Sequence, residues 1–326
     1  MVNGKKLVVS ASPHLRTKDT TQRIMLDVII ALIPALIASI AIFGPRVLAV
    51  TATTVITAVL SEFVARKVMK HHNTIQDLSA VVTGLILAFN LPVSIPLWMA
   101  AIGSFVAIVV IKQMFGGIGQ NFANPAIAAR IVLLASFGQA MGDWTAPLSW
   151  KTDAVSTATP LAIIGGETNE ALPSLLDMFL GVRGGCLGET CSVALIAGGI
   201  YLMARKVISY KIPVAFIGTV AVIMLIAGKF DLEFLAYELM GGGLLLGAFF
   251  MATDYSTSPI KSNAKIVFGV GCGLLTCVIR LFASLPEGVS FAILIMNILV
   301  PHIEKIMAPK PFGTVKEKKA KESEAK

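Results

Sequence analysis

Apolar residues along this chain fall into ten segments that are separated by polar, glycine-containing or proline-containing stretches. A helix needs about 20 mostly apolar residues to cross the hydrocarbon core of a bilayer, so repeated segments of this kind predict a polytopic all-α integral membrane protein. The segments are Leu26–Phe43, Val47–Val64, Val81–Leu91, Leu97–Met114, Pro125–Gly138, Cys191–Met203, Ile212–Ala227, Leu239–Met251, Ile266–Phe282 and Val289–Val300.

The third and eighth segments are too short to cross a bilayer as single helices. Val81–Leu91 runs into a turn sequence at 90–96, and Leu239–Met251 runs into another at 253–259. Glycine and proline punctuate both stretches, as is typical of discontinuous helices in transporters. We therefore expect the third and eighth helices to be broken.

The two halves of the chain repeat one another in register. A single offset carries Gly84 to Gly247 and Pro96 to Pro259, and it also aligns the starts of the first and sixth segments. Because five helices are an odd number, the second half enters the membrane from the opposite side. The expected architecture is about ten transmembrane helices in two inverted five-helix repeats. The alternative is that these matches arise by chance, because glycine and proline are common in membrane helices.

This architecture divides the chain into five parts. They are an N-terminal cytoplasmic segment (1–25), a first repeat (26–141), an extracytoplasmic loop (142–188), a second repeat (189–304) and a charged cytoplasmic tail (305–326).

Composition agrees with a membrane location, because 56% of the residues are hydrophobic and only 14% are charged. This balance excludes a soluble enzyme, and long apolar segments argue against an outer-membrane barrel. The net charge is +8, but the basic residues are scattered between apolar segments, which argues against nucleic-acid binding.

The positions of Lys and Arg indicate the orientation in the membrane. Most of them fall on the side of the membrane that holds the two termini, so the positive-inside rule puts both termini in the cytoplasm and the 142–188 loop outside.

A hydroxyl-rich string occupies the long loop, running from Asp153 through Ser156, Thr157 and Thr159 to Pro160. Side chains of Ser and Thr bond their own backbone in turns, which explains such a string without any ligand. Pro160 favours an extended backbone at Thr159, and we expect this to present the threonine hydroxyl.

A second group of candidate residues lies close together in the sequence and consists of Gly116, Gly117, Gly119, Asn121 and Asn124. The glycines lack the preceding strand of a dinucleotide fold, so a nucleotide site is a weak interpretation. The local explanation is a tight turn before the fifth segment, with Asn124 as the N-cap and proline at the first helical position.

Ionisable side chains inside apolar segments are costly and therefore suggest function. Arg130 lies in the fifth segment, and Asp254, in the second broken helix, suggests a Na⁺ or H⁺ path. Glu62 is four residues from Arg66, which predicts an ion pair on one helix face. The four cysteines form two pairs at a spacing of five, which favours neither an iron–sulfur cluster nor a disulfide role.

Taken together, several motifs resemble the RnfD proteins of the Rnf electron-transport complexes and, more distantly, the NqrB proteins of the sodium-pumping NADH:quinone reductases. The motifs that carry the resemblance are Ser-Pro-His-Leu-Arg at 12–16, Lys-Asp-Thr-Thr-Gln-Arg-Ile-Met at 18–25, the glycine and asparagine stretch at 116–126, and the string at 153–159. The string is similar to the motif Asp-x-x-Ser-Gly-Ala-Thr that carries covalent flavin, with Thr157 in place of glycine. The resemblance runs from about Leu7 to about Met307.

The resemblance implies FMN esterified through its phosphate to Thr159, within the motif formed by Asp153, Ser156, Thr157 and Ala158. It also implies a non-covalent riboflavin beside Asn121 and Asn124. The protein would be a bacterial inner-membrane component of an ion-translocating ferredoxin:NAD⁺ oxidoreductase, not catalytic alone, with ferredoxin and NAD bound by other subunits. The cofactor supplies the redox chemistry, and the protein supplies position and electrostatics.

An alternative from another class remains open. An inverted five-helix repeat with broken helices also fits a channel or secondary transporter that has no redox cofactor. The string at 153–159 separates the two hypotheses, because a transporter has no use for a flavin-attachment motif.

Overall fold

The computed structural model describes residues 19–151, 157–166, 171–283 and 288–308, and within these ranges the secondary structure is helical apart from one bridge residue, Thr145. The long helices of the first half are α1 (Thr21–Phe43), α2 (Arg46–Val68), α3 (Ser79–Phe89), α4 (Leu97–Gln113) and α5 (Pro125–Ser136). Those of the second half are α6 (Ser192–Ala204), α7 (Lys211–Ala227), a bent α8 (Leu232–Met240 and Leu244–Met251), α9 (Ser262–Phe282) and α10 (Val289–Ile306).

Within the described ranges, α1, α2, α9 and α10 are long and apolar enough to cross a membrane. The two arms of α8 together form a fifth candidate span, and α3 to α7 are shorter apolar helices. Many large apolar side chains point outward, among them Ile37, Ile56 and Val214. Such a surface suits a lipid environment, because it would be a liability in water. The fold is therefore that of a helical membrane protein.

The bend in α8 measures 58° and lies at Gly241–Gly243, before the turn at which the sequence predicts the interruption. Gly242 and Gly243 have positive φ angles of 58° and 69°. Glycine enters this left-handed region without the steric cost of a Cβ, so these two residues allow the change of direction. The hydrophobic pattern alone predicts a continuous eighth segment across this point.

Among the described residues, two segments have π-helical rather than α-helical hydrogen bonds. One is Val106–Gln113, the second part of α4, and the other is Gly247–Met251, the end of α8. A π turn is rare and is frequently found at functional sites, since it changes the direction in which side chains project. Both π segments border the same cavity, which is described below.

The end of α3 lies in the interior. The Asn90 side-chain amide donates to the Ile86 carbonyl at 2.7 Å, which satisfies a carbonyl at the end of the helix. The long loop returns to the same place, where the Leu187 and Gly188 amides donate to the carbonyls of Leu91 and Phe89 at 3.0 and 2.9 Å. The loop is therefore tied to the middle of the protein by backbone hydrogen bonds.

Helices α2 and α3 approach each other closely at Gly84. A Cβ placed on this glycine would lie 2.9 Å from the Cα of Val55 and 3.0 Å from the carbonyl oxygen of Thr54. Both of these are backbone atoms, which cannot move aside as a side chain can. Gly218 in α7 has nothing within 4 Å of the same position and serves as a control.

We expect Gly84→Ala to destabilise the protein by about 1–3 kcal/mol, because the added methyl group forces α2 and α3 apart. Gly218→Ala should be neutral or stabilising by about 0.5–1 kcal/mol, since alanine restricts the unfolded chain. The midpoint of unfolding in an SDS titration of purified protein measures both effects. Equal midpoints for the two variants would contradict the close packing at Gly84.

Candidate functional site

A cavity opens between the first turns of α1, α3 and α5 and the last turns of α4, α6 and α8. Its enclosed part is small, about 80 Å³, and it widens toward an open mouth. Its apolar wall includes Met25, Val28, Val82, Ile86, Leu202, Phe249 and Phe250, and its polar wall includes Ser79, Thr83, Lys112, Asn121, Asn124 and Asp254. Three residues that the sequence singles out separately, Asn121, Asn124 and Asp254, thus share one cavity.

Asn124 is the N-cap of α5, as the sequence predicts. Its side-chain oxygen accepts from the amides of Ala126 and Ile127 at 3.0 and 3.4 Å, and Pro125 occupies the first helical position. The side-chain nitrogen donates to the Met251 carbonyl at 3.3 Å, at the end of α8. Asn124 therefore joins the two halves of the chain at the cavity wall.

Asn121 contributes an unused acceptor to the cavity. Its side-chain oxygen is buried and has no hydrogen-bond partner among the described residues. A buried polar atom without a partner costs about 1–3 kcal/mol, so it is a candidate contact for a ligand that carries an N–H or O–H group.

Asp254 lies in the turn that follows α8. Its carboxylate accepts from the hydroxyls of Ser256 and Thr257 at 2.8 and 3.1 Å. The neighbouring Tyr255 also lines the cavity, and burial, followed by the negative charges of Asp254 and Asp77, raises its pKa to about 12. Tyr255 is therefore a neutral hydroxyl at neutral pH, which can donate or accept a hydrogen bond.

A buried ion pair closes one side of the cavity. Lys112 is 2% exposed and its ammonium lies 2.9 Å from a carboxylate oxygen of Glu62, whose side chain is fully buried. The other oxygen of Glu62 accepts from Gln113 at 2.9 Å and from the Thr74 hydroxyl at 2.7 Å. The sequence pairs Glu62 with Arg66, but the carboxylate turns away from its own helix toward the π segment of α4. Lys112 is an internal charge that the sequence analysis does not single out.

Thr159 lies in the long loop between α5 and α6, and this loop reaches the end of α1 away from the cavity. Leu148, earlier in the same loop, donates its amide to the Ile42 carbonyl at 2.8 Å. The backbone of Thr159 is extended (φ −72°, ψ 151°), as the following proline predicts. Its hydroxyl oxygen accepts from the Ala162 amide at 3.3 Å and caps the short helix Pro160–Ile164.

Thr159 stays outside the helix, as expected, but its hydroxyl is not openly presented, because the residue is 6% exposed. Capping draws the side chain back over the first turn of the short helix. Ala158 and Thr157 are partly buried, and the Thr157 amide donates to the Trp144 carbonyl at 2.9 Å. The other two residues of the predicted motif, Asp153 and Ser156, lie outside the described residues.

Arg183 organises the loop between the short helix and α6. Its guanidinium is buried and donates to the carbonyls of Glu189 and Met240 at 2.8 and 2.5 Å and to that of Thr190 at 3.3 Å. Burial lowers the pKa of Arg183, and the nearby Glu189 partly offsets this. Sequence reasoning misses this role, because no local pattern distinguishes Arg183 from an ordinary loop arginine.

Arg130 connects four parts of the chain. Its guanidinium donates to the side-chain oxygen of Asn90 at 3.1 Å, to the Ser290 hydroxyl at 2.9 Å and to the Cys186 sulfur at 3.5 Å. The sequence singles out Arg130 as an intramembrane charge but cannot supply these partners. All four cysteines are free thiols, and in the described part of the chain no His, Cys, Asp and Glu side chains gather into a metal-binding group.

Span-length helices and an apolar outer surface define a polytopic helical membrane protein. The family model described as the NQR2, RnfD, RnfE family matches residues 8–313. The chain belongs to this family.

Curated relatives align over nearly the whole chain. The D subunit of the Na⁺-translocating ferredoxin:NAD⁺ oxidoreductase complex of Acetobacterium woodii is 46% identical over 321 residues, which cover 98% of this chain and 99% of the relative. The D subunit of the proton-translocating ferredoxin:NAD⁺ oxidoreductase complex of Clostridium ljungdahlii is 42% identical, covering 94% and 96%. The D subunit of the ion-translocating oxidoreductase complex of Escherichia coli is 32% identical, covering 94% and 98%.

We expect Lys112→Met to cost about 3–5 kcal/mol, because it leaves the carboxylate of Glu62 buried without its cation. The double variant Lys112→Met/Glu62→Gln should recover most of this loss, since no net charge then remains inside. SDS titration of the two variants and of Glu62→Gln alone checks the coupling. Strictly additive effects in this cycle would contradict the buried pair.

Proposed function

We propose that this chain is the flavin-bearing membrane component of an ion-translocating ferredoxin:NAD⁺ oxidoreductase complex. It passes electrons through covalent FMN on Thr159, coupled to Na⁺ or H⁺ translocation. The observation that carries the proposal is the alignment, over nearly the full length of the chain, with two relatives whose names state this activity. Ferredoxin and NAD bind to other subunits in this proposal, and the chain is not catalytic alone.

The helix packing supports the inverted repeat. In the first half α2 packs on α3 and α4, and in the second half α7 packs on α8 and α9. Contacts between α1 and α6 and between α5 and α10 join equivalent helices of the two halves. This is the pattern that a two-fold axis in the membrane plane produces. It favours the proposed architecture of ten helices in two five-helix repeats.

We assign the cavity to the cytoplasmic side of a bacterial cell membrane and Thr159 to the extracytoplasmic side. The cavity borders the start of α1, while the loop that contains Thr159 joins its end through the Leu148 amide. The basic residues between the helices support this orientation through the positive-inside rule.

The environment of Thr159 is compatible with a phosphoester. The Thr159 oxygen acts as an acceptor toward the Ala162 amide, and an ester oxygen keeps an acceptor lone pair after the hydroxyl hydrogen is replaced. Because the side chain is 6% exposed, attachment requires the loop to open to the modifying enzyme. FMN at this position would supply electron transfer, while the chain fixes its place.

We propose that the cavity, which must widen to admit the ring, binds a second, non-covalent flavin such as riboflavin. An isoalloxazine ring has an apolar dimethylbenzene end and a polar end with N–H and carbonyl groups. Phe249 and Phe250 offer an apolar aromatic surface, while Asn121 offers a free acceptor at the polar wall. Asp254 lies on the same cavity, and we propose that it belongs to the ion path.

We expect Thr159→Ala to abolish the flavin fluorescence of the protein on a denaturing gel, because only a covalent flavin survives denaturation. The protein should be produced together with its flavin transferase. Thr157→Ala is the matched control and should keep the fluorescence, since Thr157 is a neighbouring hydroxyl in the same string. Wild type that shows no fluorescence under these conditions would favour the cofactor-free transporter.

We expect Asn121→Ala to lower the content of non-covalent flavin about three- to tenfold, which corresponds to the loss of one hydrogen bond. Asn124→Asp keeps the N-cap of α5 but loses the amide donor, so it tests the contribution of this donor to flavin binding without removing the cap. Chromatography of the flavin released by acid precipitation measures the content. Unchanged content in both variants would remove these asparagines from the site.

A further inference from the structure

A short amphipathic helix lies in the long loop between α5 and α6, after the segment that contains Thr159. This loop helix spans Leu175–Leu180. Its exposed side chains are all large and apolar, with Leu176 the most exposed at 66%, and they are those of Leu175, Leu176, Phe179 and Leu180. Positions i, i+1, i+4 and i+5 of a helix share one face that is about 140° wide. The loop helix therefore turns an entirely apolar face outward.

The opposite face of the loop helix is fixed to the protein. Met178 is fully buried, its sulfur accepts from the Arg183 guanidinium at 3.6 Å, and its carbonyl accepts from the Ser192 hydroxyl at 3.3 Å. Just before the loop helix, the Pro173 carbonyl accepts from the Tyr237 hydroxyl at 2.7 Å. The loop helix packs on α6 and on the first arm of α8. Its apolar face cannot turn inward unless these contacts break.

The polar groups at both ends of the loop helix are satisfied within the chain. The Ser174 hydroxyl oxygen accepts from the Asp177 amide at 3.2 Å, and the hydroxyl donates to the Asp177 carboxylate at 2.7 Å. At the other end, the amides of Gly181 and Val182 donate to the Asp177 carbonyl at 2.7 and 2.9 Å. Backbone groups that are paired in this way need no water, so the helix can lie against lipid.

The apolar face of the loop helix continues the outer surface of the helices on which it packs. Ser192, which donates to Met178, is followed in the first turn of α6 by the exposed Val193. The first arm of α8 begins with Leu232, which is also exposed. No charged side chain interrupts the face of the loop helix itself. Such a surface would be a liability in water, as it would be on the long helices.

We propose that the loop helix lies in the interface of the bilayer and inserts its apolar face into lipid. Lipid chains offer no hydrogen-bonding groups, and this face requires none. Helices with one apolar face that lie in the plane of the interface are a known mode of membrane attachment. The long loop is thereby held at the level of the membrane surface. This role is independent of electron transfer and of any cofactor.

The test measures the depth of a nitroxide label in the purified full-length protein, reconstituted alone in phosphatidylcholine vesicles. The label is attached to Leu176→Cys and, as a second position on the same face, to Phe179→Cys. Gly165→Cys is the matched control, because Gly165 is exposed in the same loop but lies outside the loop helix. Three native cysteines are buried and Cys191 is partly buried, so wild type treated with the label supplies the background. Electron paramagnetic resonance compares collisions of the label with oxygen, which concentrates in lipid, and with a water-soluble nickel chelate.

We expect the labels at 176 and 179 to lie about 5–10 Å within the boundary of headgroups and acyl chains, the depth typical of interfacial helices. They should collide more with oxygen than with the nickel chelate, and the label at 165 should show the reverse. Nickel accessibility at 176 and 179 equal to that at 165 would place the face in water and overturn the proposal. Shielding from both reagents would mean that protein, such as a second copy of the chain, covers the face, and it would also overturn the assignment to lipid.

Discussion

The structure depends on one constraint, which is that a helix ending inside a membrane protein must find hydrogen-bond partners for its last carbonyl groups. Lipid supplies none, and an unsatisfied backbone group there costs several kcal/mol. Helix α3 meets the constraint with the Asn90 side chain and the two amides of the returning loop. In the turn after α3, Arg46 likewise provides hydrogen bonds to the carbonyls of Val93 and Ser94. The position of the long loop follows from these bonds.

Polar contacts of Asn90 at the end of α3 also connect the cavity with the long loop. Asn90 accepts from Arg130 and donates to the Met251 sulfur at 3.2 Å, while Met251 offers its carbonyl to Asn124 at the cavity. On the other side, Arg130 donates to Cys186 in the loop that Arg183 organises. A continuous set of polar contacts thus runs from the cavity wall toward the loop. A displacement at either end has a physical route to the other.

Sequence reasoning succeeds here where the signal is local. The apolar segments coincide with helices, and Asn124 followed by proline marks the start of α5, because both patterns arise from neighbouring residues. It fails where partners come from distant parts of the chain. The partner of Glu62 is Lys112 on α4 rather than Arg66 one turn away, and the oxygen of Thr159 is used by a helix cap. A composition pattern cannot show that α8 bends at its glycines, since glycine also occurs within straight membrane helices.

The length of α4 before its π segment, Val106–Gln113, is a constraint on its evolution. A π turn contains one residue more than an α turn, so it absorbs one residue without rotating the helix beyond it, whereas the α-helical part of α4, Leu97–Phe105, cannot absorb the loss of a residue. The positions beyond such a deletion would rotate by about 100°. Lys112 would leave Glu62, and the carboxylate would remain alone in the interior. A deletion that is harmless in most loops would therefore be selected against at this point of the membrane domain.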